Sequence, residues 1–292
     1  MRRLNMKMKN WFQKCLIGIL IAALCLTVVP VDTFAATKSS LPALHVEGTK
    51  LCDKDGNVVQ LRGVSTHGLS WFPQYVNDKY FKELHDKWGA NVVRLAMYTE
   101  EYNGYCSGDA NNRKQLKVLV KKGVKLAAKN DLYVIIDWHI LSDGNPKKHV
   151  KASKAFFKEM SKTFKDYDNV LYEICNEPNG GTDWKTIKSY AKSVIPVIRK
   201  NDKDAIIIVG TPNWSQKVDE AAASQITGCD NLMYAFHFYA GTHKADMRKT
   251  LTDAVKKGLP VFVTEFGITD ASGYGGIDKK EAAKWMKALN KH

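Results

Sequence analysis

The chain has 292 residues, 45% of them hydrophobic and 25% charged, and its formal net charge at pH 7 is +14. A nucleic-acid-binding protein would concentrate such charge in a patch or an arginine-rich segment, whereas lysines here are spread over presumed helices such as 114–129 and 147–165. We therefore interpret the basic charge as a solvated surface and expect no nucleic-acid partner.

The first 35 residues have the layout of a secretory signal peptide. Five basic residues precede an apolar run at 15–29, and the segment Thr33-Phe34-Ala35 supplies small residues for cleavage. The apolar run is shorter than the ~20 residues that span a bilayer. We expect cleavage after Ala35 and a secreted, extracellular protein without membrane attachment. Since the leader holds five bases and one acid, the mature charge is +10.

The remainder, residues 36–292, has no low-complexity tract or Pro/Ser-rich linker and is predicted to be one domain. Its first elements are two short strands, 44–47 and 58–61, on either side of a turn at 53–57. This pattern predicts a β-hairpin that could plug the bottom of a barrel.

Seven short apolar runs follow, each continuous rather than alternating, as is typical of strands that are buried on both faces. They cover 61–64, 92–97, 132–136, 170–175, 205–209, 232–238 and 261–264. Amphipathic helical patterns occupy 113–129, 151–164, 186–200, 244–257 and 279–290. This alternation predicts an α/β fold with a parallel sheet, and we expect a (β/α)8 TIM barrel. A doubly wound sheet would usually carry a Gly-rich phosphate loop after its first strand, but 65–72 is rich in aromatic and imidazole groups.

Chemically active side chains follow the strands at the ends where a parallel barrel places its active site. In chain order they are His67, Trp71, Arg94, Tyr98, Asp137, Trp138, His139, Asn176, Glu177, Trp214, His237, Tyr239 and Glu265. Two glutamates at different strand ends suit glycoside hydrolysis, in which one carboxyl protonates the leaving oxygen and another attacks. A single glutamate would more often belong to a structural ion pair. Two glutamates among Trp, Tyr and His side chains at the strand ends instead favour catalysis by Glu177 and Glu265.

In combination these segments resemble glycoside hydrolase family 5, and within it the bacterial endo-β-1,4-glucanase subfamily 2. The resemblance covers nearly all of the mature chain. Its motifs are 61–72 (LRGVSTHGLSWF), 91–98 (NVVRLAMY), 137–139 (DWH), 172–179 (YEICNEPN), 237–239 (HFY) and 264–267 (TEFG).

The resemblance implies a retaining enzyme with Glu177 as general acid/base and Glu265 as nucleophile. It also implies that Arg94 and Tyr239 orient Glu265 and keep it ionised, because a nearby guanidinium favours the charged carboxylate. Asn176 would bond the 2-hydroxyl of the sugar, a contact that strengthens in the transition state.

The same resemblance implies a set of sugar-binding residues. His139 and His237 would contact the sugar or tune Glu177. His67, Trp71 and Tyr98 would bind glucosyl units on the non-reducing side, and Trp214 would bind them on the leaving side.

Other residues have ordinary structural interpretations. We expect Asp137 to anchor the backbone or an ion pair and Trp138 to pack in the barrel wall. Tryptophans in helical stretches are expected to pack as well, namely Trp88, Trp184 and Trp285. The four cysteines of the mature region fit no zinc pattern, and we expect no metal, no cofactor and no essential disulfide.

The family barrel has eight strands, whereas the last helical pattern here, 279–290, lies close to His292. We therefore expect 36–292 to be a catalytic domain that is truncated before the eighth strand and helix. The tryptophan that forms the floor under the cleaved sugar in the family would be missing too.

Three functions remain open at this stage. A monomeric enzyme that cleaves internal bonds of a β-glucan, such as cellulose or mixed-linkage glucan, is the leading hypothesis. A mannanase or xyloglucanase is the alternative within the same class, because loops rather than the catalytic pair decide the substrate. A non-catalytic glycan-binding protein is the alternative from another class, and the presence of both glutamates, Arg94 and Asn176 argues against it.

Overall fold

The computed structural model describes residues 39–292, so the predicted leader at 1–35 lies outside the described residues. The first elements are two antiparallel strands, β1 (Leu44–Glu47) and β2 (Lys50–Asp53). The predicted hairpin is present, but the prediction of its second strand was wrong: Val58 makes only an isolated bridge to Cys52. The turn lies at Gly48, whose φ of 58° supplies the left-handed conformation that a glycine adopts without strain.

Seven parallel strands follow and form one sheet. They are β3 (Gly63–Ser65), β4 (Val92–Tyr98), β5 (Tyr133–His139), β6 (Val170–Glu173), β7 (Ile207–Val209), β8 (Leu232–Tyr239) and β9 (Val261–Gly267). Each strand pairs in parallel with the next, so the order in the sheet follows the order in the chain. This order distinguishes a (β/α) barrel from a doubly wound sheet, whose strand order reverses. The predicted strands are all present, with ends that differ by a few residues.

Helices connect the strands and cover the outside of the sheet. They are α1 (Asp78–Trp88), α2 (Ala110–Lys129), α3 (Val150–Phe164), α4 (Trp184–Arg199), α5 (Val218–Ala223), α6 (Ala245–Lys256) and α7 (Lys279–Lys291). Four of them start at an Asn or Asp whose side chain accepts a backbone N–H of the first turn, which is a strong N-terminal cap. No helix within 39–292 is both long and apolar enough to cross a membrane.

The hydrophobic core has an inner layer and an outer layer. In the inner layer, Leu44 and Leu51 of the hairpin pack with barrel residues such as Val92 and Tyr133, near the starts of β4 and β5. The hairpin therefore plugs the amino-terminal end of the barrel, as predicted. The outer layer lies between strands and helices and buries Trp138, Trp184 and Trp285. The packing prediction for Trp88 was wrong, because this last residue of α1 is 69% exposed.

β3 and β9 are the edge strands of the described sheet, and each pairs with a single neighbour. Side chains on them are consequently more open to solvent than those of inner strands: Val64 is 36% exposed and Phe266 is 45% exposed. The described sheet thus has the seven strands that the sequence predicts.

Candidate active site

Arg94 on β4 is the centre of a charged network at the carboxyl ends of the strands. It is 2% exposed, and its guanidinium has five polar partners, one of which is the Ser65 hydroxyl (3.3 Å from Nη1). Nε donates to Glu173 (2.7 Å), Nη2 lies against Asn176 (2.6 Å) and Asp137 (3.0 Å), and Nη1 donates to Glu265 (3.3 Å). Burial alone would lower the pKa of Arg94, but these carboxylates raise it, so the side chain stays charged.

Glu265 lies near the end of β9 and is held from two sides. The Tyr239 hydroxyl donates to one carboxylate oxygen at 2.5 Å, and Arg94 donates to the other. Burial would raise the pKa of Glu265, but His237 and Arg94 outweigh burial and hold it at about 2. A Cβ at Gly267 would lie 2.6 Å from the Tyr239 ring, so glycine is what allows the ring to pack there. Glu265 is therefore an ionised, oriented carboxylate.

Glu177 follows β6 and faces Glu265. It is 8% exposed, and its Oε1 lies 2.9 Å from Nδ1 of His237 on β8. A β-bulge between Ala235 and His237 brings His237 level with Glu265 on the neighbouring strand. One oxygen of Glu177, one oxygen of Glu265 and one nitrogen of His237 lie within 4.8 Å of one another.

This trio has the residue types of a metal site, yet both nitrogens of His237 and both oxygens of Glu265 already have protein partners. Both nitrogens of His237 contact protein partners, Glu177 and Thr264. The oxygens of Glu265 accept hydrogen bonds from Tyr239 and Arg94. The arrangement instead suits proton transfer by one carboxyl and nucleophilic attack by the other.

His139 and Asn176 are oriented by charged neighbours. Nδ1 of His139 lies 2.5 Å from Asp137, which confirms an anchoring contact for that carboxylate. Asn176 must turn its oxygen toward Arg94, because a guanidinium only donates. Its amide nitrogen then contacts His139 (3.2 Å) and the Ile140 carbonyl (3.0 Å). The bond from Asn176 to a sugar hydroxyl stays a prediction.

His67, Trp71 and Tyr98 form an aromatic wall beside this network. The Tyr98 ring lies 4.1 Å from that of His139, and Trp71 stacks on Tyr98 at 5.3 Å. The Trp71 indole is fixed by donation to the Tyr102 carbonyl. His67 accepts the Gly68 N–H on Nδ1, and burial lowers the pKa of His67, so it presents a neutral ring. The wall is partly exposed, with Trp71 at 36%, and it meets the charged network where Tyr98 packs on His139.

Trp214 occupies a separate position. Asn213, Trp214 and Ser215 all have φ values of 55–56°, a left-handed conformation that costs ordinary residues about 1–2 kcal/mol each. The turn is held because the Trp214 N–H donates to the Pro178 carbonyl (3.0 Å) and the Ser215 hydroxyl to the Asn176 carbonyl (2.6 Å). These bonds keep Trp214, 44% exposed, beside the loop that carries Glu177.

The model of the cellulase family, glycosyl hydrolase family 5, matches residues 52–292. The chain belongs to this family. It is 49% identical to endoglucanase A of Butyrivibrio fibrisolvens, over 85% of this chain and 57% of that protein. It is 46% identical to an endoglucanase of Clostridium saccharobutylicum, over 97% of this chain and 63% of that protein. The chain therefore spans less than two thirds of the length of these relatives.

The fold agrees with solved structures of the same family. The catalytic domain of the Thermobifida fusca endoglucanase Cel5A is similar with a TM-score of 0.80 and 41% identity. The similarity covers 85% of this chain and 81% of that one.

Two buried residues of this family 5 site were not predicted, Glu173 on β6 and Thr264 on β9. Glu173 is 0% exposed and pairs with Arg94. Burial would raise the pKa of Glu173, but Arg94 and His237 lower it to about 2. The Thr264 hydroxyl lies between Glu173 and His237, 2.8 Å from each. A charged residue inside the otherwise apolar run at 170–175 was the sequence signal for Glu173.

Proposed function

We propose that this chain is a retaining endo-β-1,4-glucanase in which Glu177 is the general acid/base and Glu265 the nucleophile. The observation that carries the proposal is the approach of the two carboxylates, with oxygens within 4.8 Å of each other. Retaining glycosidases place these groups ~5–5.5 Å apart, whereas inverting enzymes leave ~6.5–9.5 Å for a water molecule.

The environments of the two carboxyls suit different roles. Glu265 is ionised beside Arg94, so it attacks the anomeric carbon while the bond to the leaving oxygen breaks. Glu177 transfers its proton to that oxygen, and the leaving glucan departs as an alcohol. In the second step water gives a proton to Glu177 and its oxygen displaces Glu265, which leaves as a carboxylate. Tyr239 and Arg94 stabilise Glu265 in its charged states before and after the ester.

The aromatic wall supports a glucan as the substrate. Tyr98 and Trp71 form a stacked pair next to His139, and Trp214 offers another exposed ring beside the loop that carries Glu177. The relatives are named endoglucanases, and a variant of the Thermobifida fusca enzyme was solved in complex with cellotetraose. We infer that a β-1,4-glucan chain lies across the carboxyl ends of the strands and is cut internally.

We further propose that the protein is exported and acts outside the cell as a monomer. The leader-like composition of residues 1–35 supports export. Amino-terminal sequencing of protein from culture medium should start at Ala36, and size-exclusion chromatography should give the mass of one chain. Retention of residues 1–35 in the cell fraction would contradict export, and a larger particle would contradict the monomer.

The activity is tested with the purified chain on carboxymethylcellulose and barley β-glucan. Internal cleavage should reduce viscosity before much reducing sugar appears. Faster cleavage of mannan or xyloglucan would favour those substrates instead, and binding without hydrolysis would favour a glycan-binding protein.

The roles of the glutamates are tested by two variants. Glu265→Gln should abolish turnover of every substrate, because no nucleophile remains. Glu177→Ala should keep activity on 2,4-dinitrophenyl cellobioside, because the leaving group of this substrate needs no proton. Azide should partly restore the activity that this variant loses. Equal losses on activated and unactivated substrates in both variants would overturn the assignment.

A further inference from the structure

A continuous hydrogen-bonded chain runs from Glu177 into the barrel. Glu177 contacts Nδ1 of His237 at 2.9 Å, and Nε2 of the same ring contacts the Thr264 hydroxyl at 2.8 Å. The Thr264 hydroxyl in turn contacts Glu173 at 2.8 Å. Glu173 and His237 are almost wholly removed from solvent, whereas Glu177 is 8% and Thr264 9% exposed.

The direction of each hydrogen bond follows from what each group can donate. Glu173 is ionised beside Arg94, and a carboxylate only accepts. The single hydroxyl hydrogen of Thr264 must therefore point to Glu173. The oxygen of Thr264 can then serve His237 only as an acceptor, so Nε2 of His237 must carry a hydrogen. The proton that His237 exchanges is consequently the one on Nδ1, which faces Glu177.

We propose that Thr264 and Glu173 are positioning residues that fix the proton on Nε2 of His237, so that Nδ1 and Glu177 share a single exchangeable proton. This inference rests on the role proposed for Glu177. The proton lies either on the Glu177 carboxyl, donating to neutral Nδ1, or on Nδ1, donating to the Glu177 carboxylate. In the first chemical step it passes from Glu177 to the leaving oxygen, and in the second a proton from water restores it.

The charged groups around His237 support this arrangement. Glu173 and Glu177 face it from β6 and the following loop, and Glu265 faces it from β9. Burial alone would lower the pKa of His237, but these three carboxylates raise it to about 10. Arg94 lies behind Glu173 and also contacts Glu265. Both catalytic carboxyls are thereby linked to one guanidinium, Glu265 directly and Glu177 through Glu173, Thr264 and His237.

Thr264→Val tests the inference, because valine keeps the shape of threonine and removes the hydroxyl. Its kcat/KM on cellotetraose should fall roughly 10²-fold, within the range that general acid catalysis contributes. On 2,4-dinitrophenyl cellobioside, which needs no proton in the first step, the loss should stay under about fivefold. The alkaline limb of the pH profile should move down by about one unit, because Nε2–H loses its acceptor and His237 releases its proton more easily.

Two further variants separate this role from a structural one. Thr264→Ser keeps the hydroxyl, so its pH profile should be that of the wild type. The ratio of its kcat/KM on cellotetraose to that on 2,4-dinitrophenyl cellobioside, called the substrate ratio below, should also be that of the wild type. Thr211→Val is the matched control, because Thr211 is a buried threonine whose hydroxyl donates to the Ala235 carbonyl and does not contact His237. It should leave the substrate ratio and the pH profile at wild-type values. A Thr264→Val protein with the wild-type ratio and profile, or a Thr264→Ser protein that behaves like Thr264→Val, would overturn the proposal.

Imidazole ¹⁵N NMR of the unsubstituted protein gives a test that does not depend on activity. The Nε2 signal of His237 should stay that of a protonated nitrogen throughout the titration, while Nδ1 loses its proton as the pH passes the His237 pKa of about 10. Assignment uses the signal lost in His237→Gln. An unprotonated Nε2 would refute the proposal even if the protein hydrolyses glucan. A failure to hydrolyse any glucan would refute the proposed function and leave this reading of the tautomer intact.

Discussion

Arg94→Met should destabilise the fold strongly, because Arg94 neutralises carboxylates that have been removed from water. Glu173 and Asp137 are each 0% exposed and lie 2.7 and 3.0 Å from its guanidinium. Removing one partner of a buried ion pair typically costs about 3–5 kcal/mol, since the remaining charge is left without compensation.

The pKa of Glu173 gives a similar magnitude. Burial raises this pKa, but Arg94 and His237 lower it from 4.5 to about 2, a shift worth about 3 kcal/mol of stability. Because the pKa in the folded state is below that of the unfolded state, the stabilisation is present above about pH 4.5. It is lost as the pH falls toward 2. Without Arg94, burial should raise the pKa of Glu173 and remove this contribution.

Thermal unfolding followed by circular dichroism between pH 7 and pH 2 measures both effects. A loss of about 3–5 kcal/mol should lower Tm at pH 7 by about 6–20 °C for a domain of this size. The further fall of Tm below pH 4.5 should be smaller in the variant than in the wild type. Arg62→Met is the control, because Arg62 is exposed and, within residues 39–292, its guanidinium bonds only to the Gln60 side chain, through Nε. A drop of less than about 3 °C for Arg94→Met, or an unchanged acid dependence, would refute the reasoning.

Three other substitutions probe the site. Tyr239→Phe removes a hydrogen bond to Glu265, so the pKa of Glu265 and the acid limb of kcat/KM should rise and kcat should fall about 10–100-fold; an unmoved acid limb would contradict this. Trp71→Ala should weaken the binding of cellotetraose, measured by calorimetry, by a larger factor than it lowers kcat for 2,4-dinitrophenyl cellobioside. Equal factors for binding and kcat would argue against a role of Trp71 in stacking on the sugar. Gly267→Ala should lower both Tm and kcat, because its Cβ would lie 2.6 Å from the Tyr239 ring; wild-type values for both would show that the ring moves freely.

The sequence predicts the barrel well where burial leaves a periodic signal. The run at 92–97 is apolar apart from Arg94, because β4 is covered on both faces. Such a continuous apolar run predicts a buried strand. Trp88 was placed in a helical stretch, but the bounds of α1 were not predicted, because Phe81 is the only buried residue of this helix. The hairpin was assigned to the wrong turn because Asp53–Asn57 also forms a turn, closed by bonds to the Asp53 carboxylate.

The site is predictable where strand ends reveal it and unpredictable where tertiary geometry decides. Glu177 and Glu265 follow apolar runs, so their convergence follows from the topology of a parallel barrel. The left-handed turn at Asn213, Trp214 and Ser215 contains no glycine, so the sequence gives no sign of its positive φ values. The role of Thr264 depends on a bulge in β8 and on distances to Glu173 and His237, on other strands. Such contacts join residues far apart in sequence and have no local pattern.

The central claim, that Glu265 is the nucleophile of a retaining reaction, is tested most directly by trapping the covalent intermediate. The protein is incubated with 2,4-dinitrophenyl 2-deoxy-2-fluorocellobioside, and the labelled peptide is identified by mass spectrometry. We expect one 2-fluorocellobiosyl group per chain, attached to Glu265, and loss of activity that parallels labelling. Labelling at Glu177 or elsewhere, or turnover of cellotetraose that releases the α-anomer first with no label bound, would contradict the account.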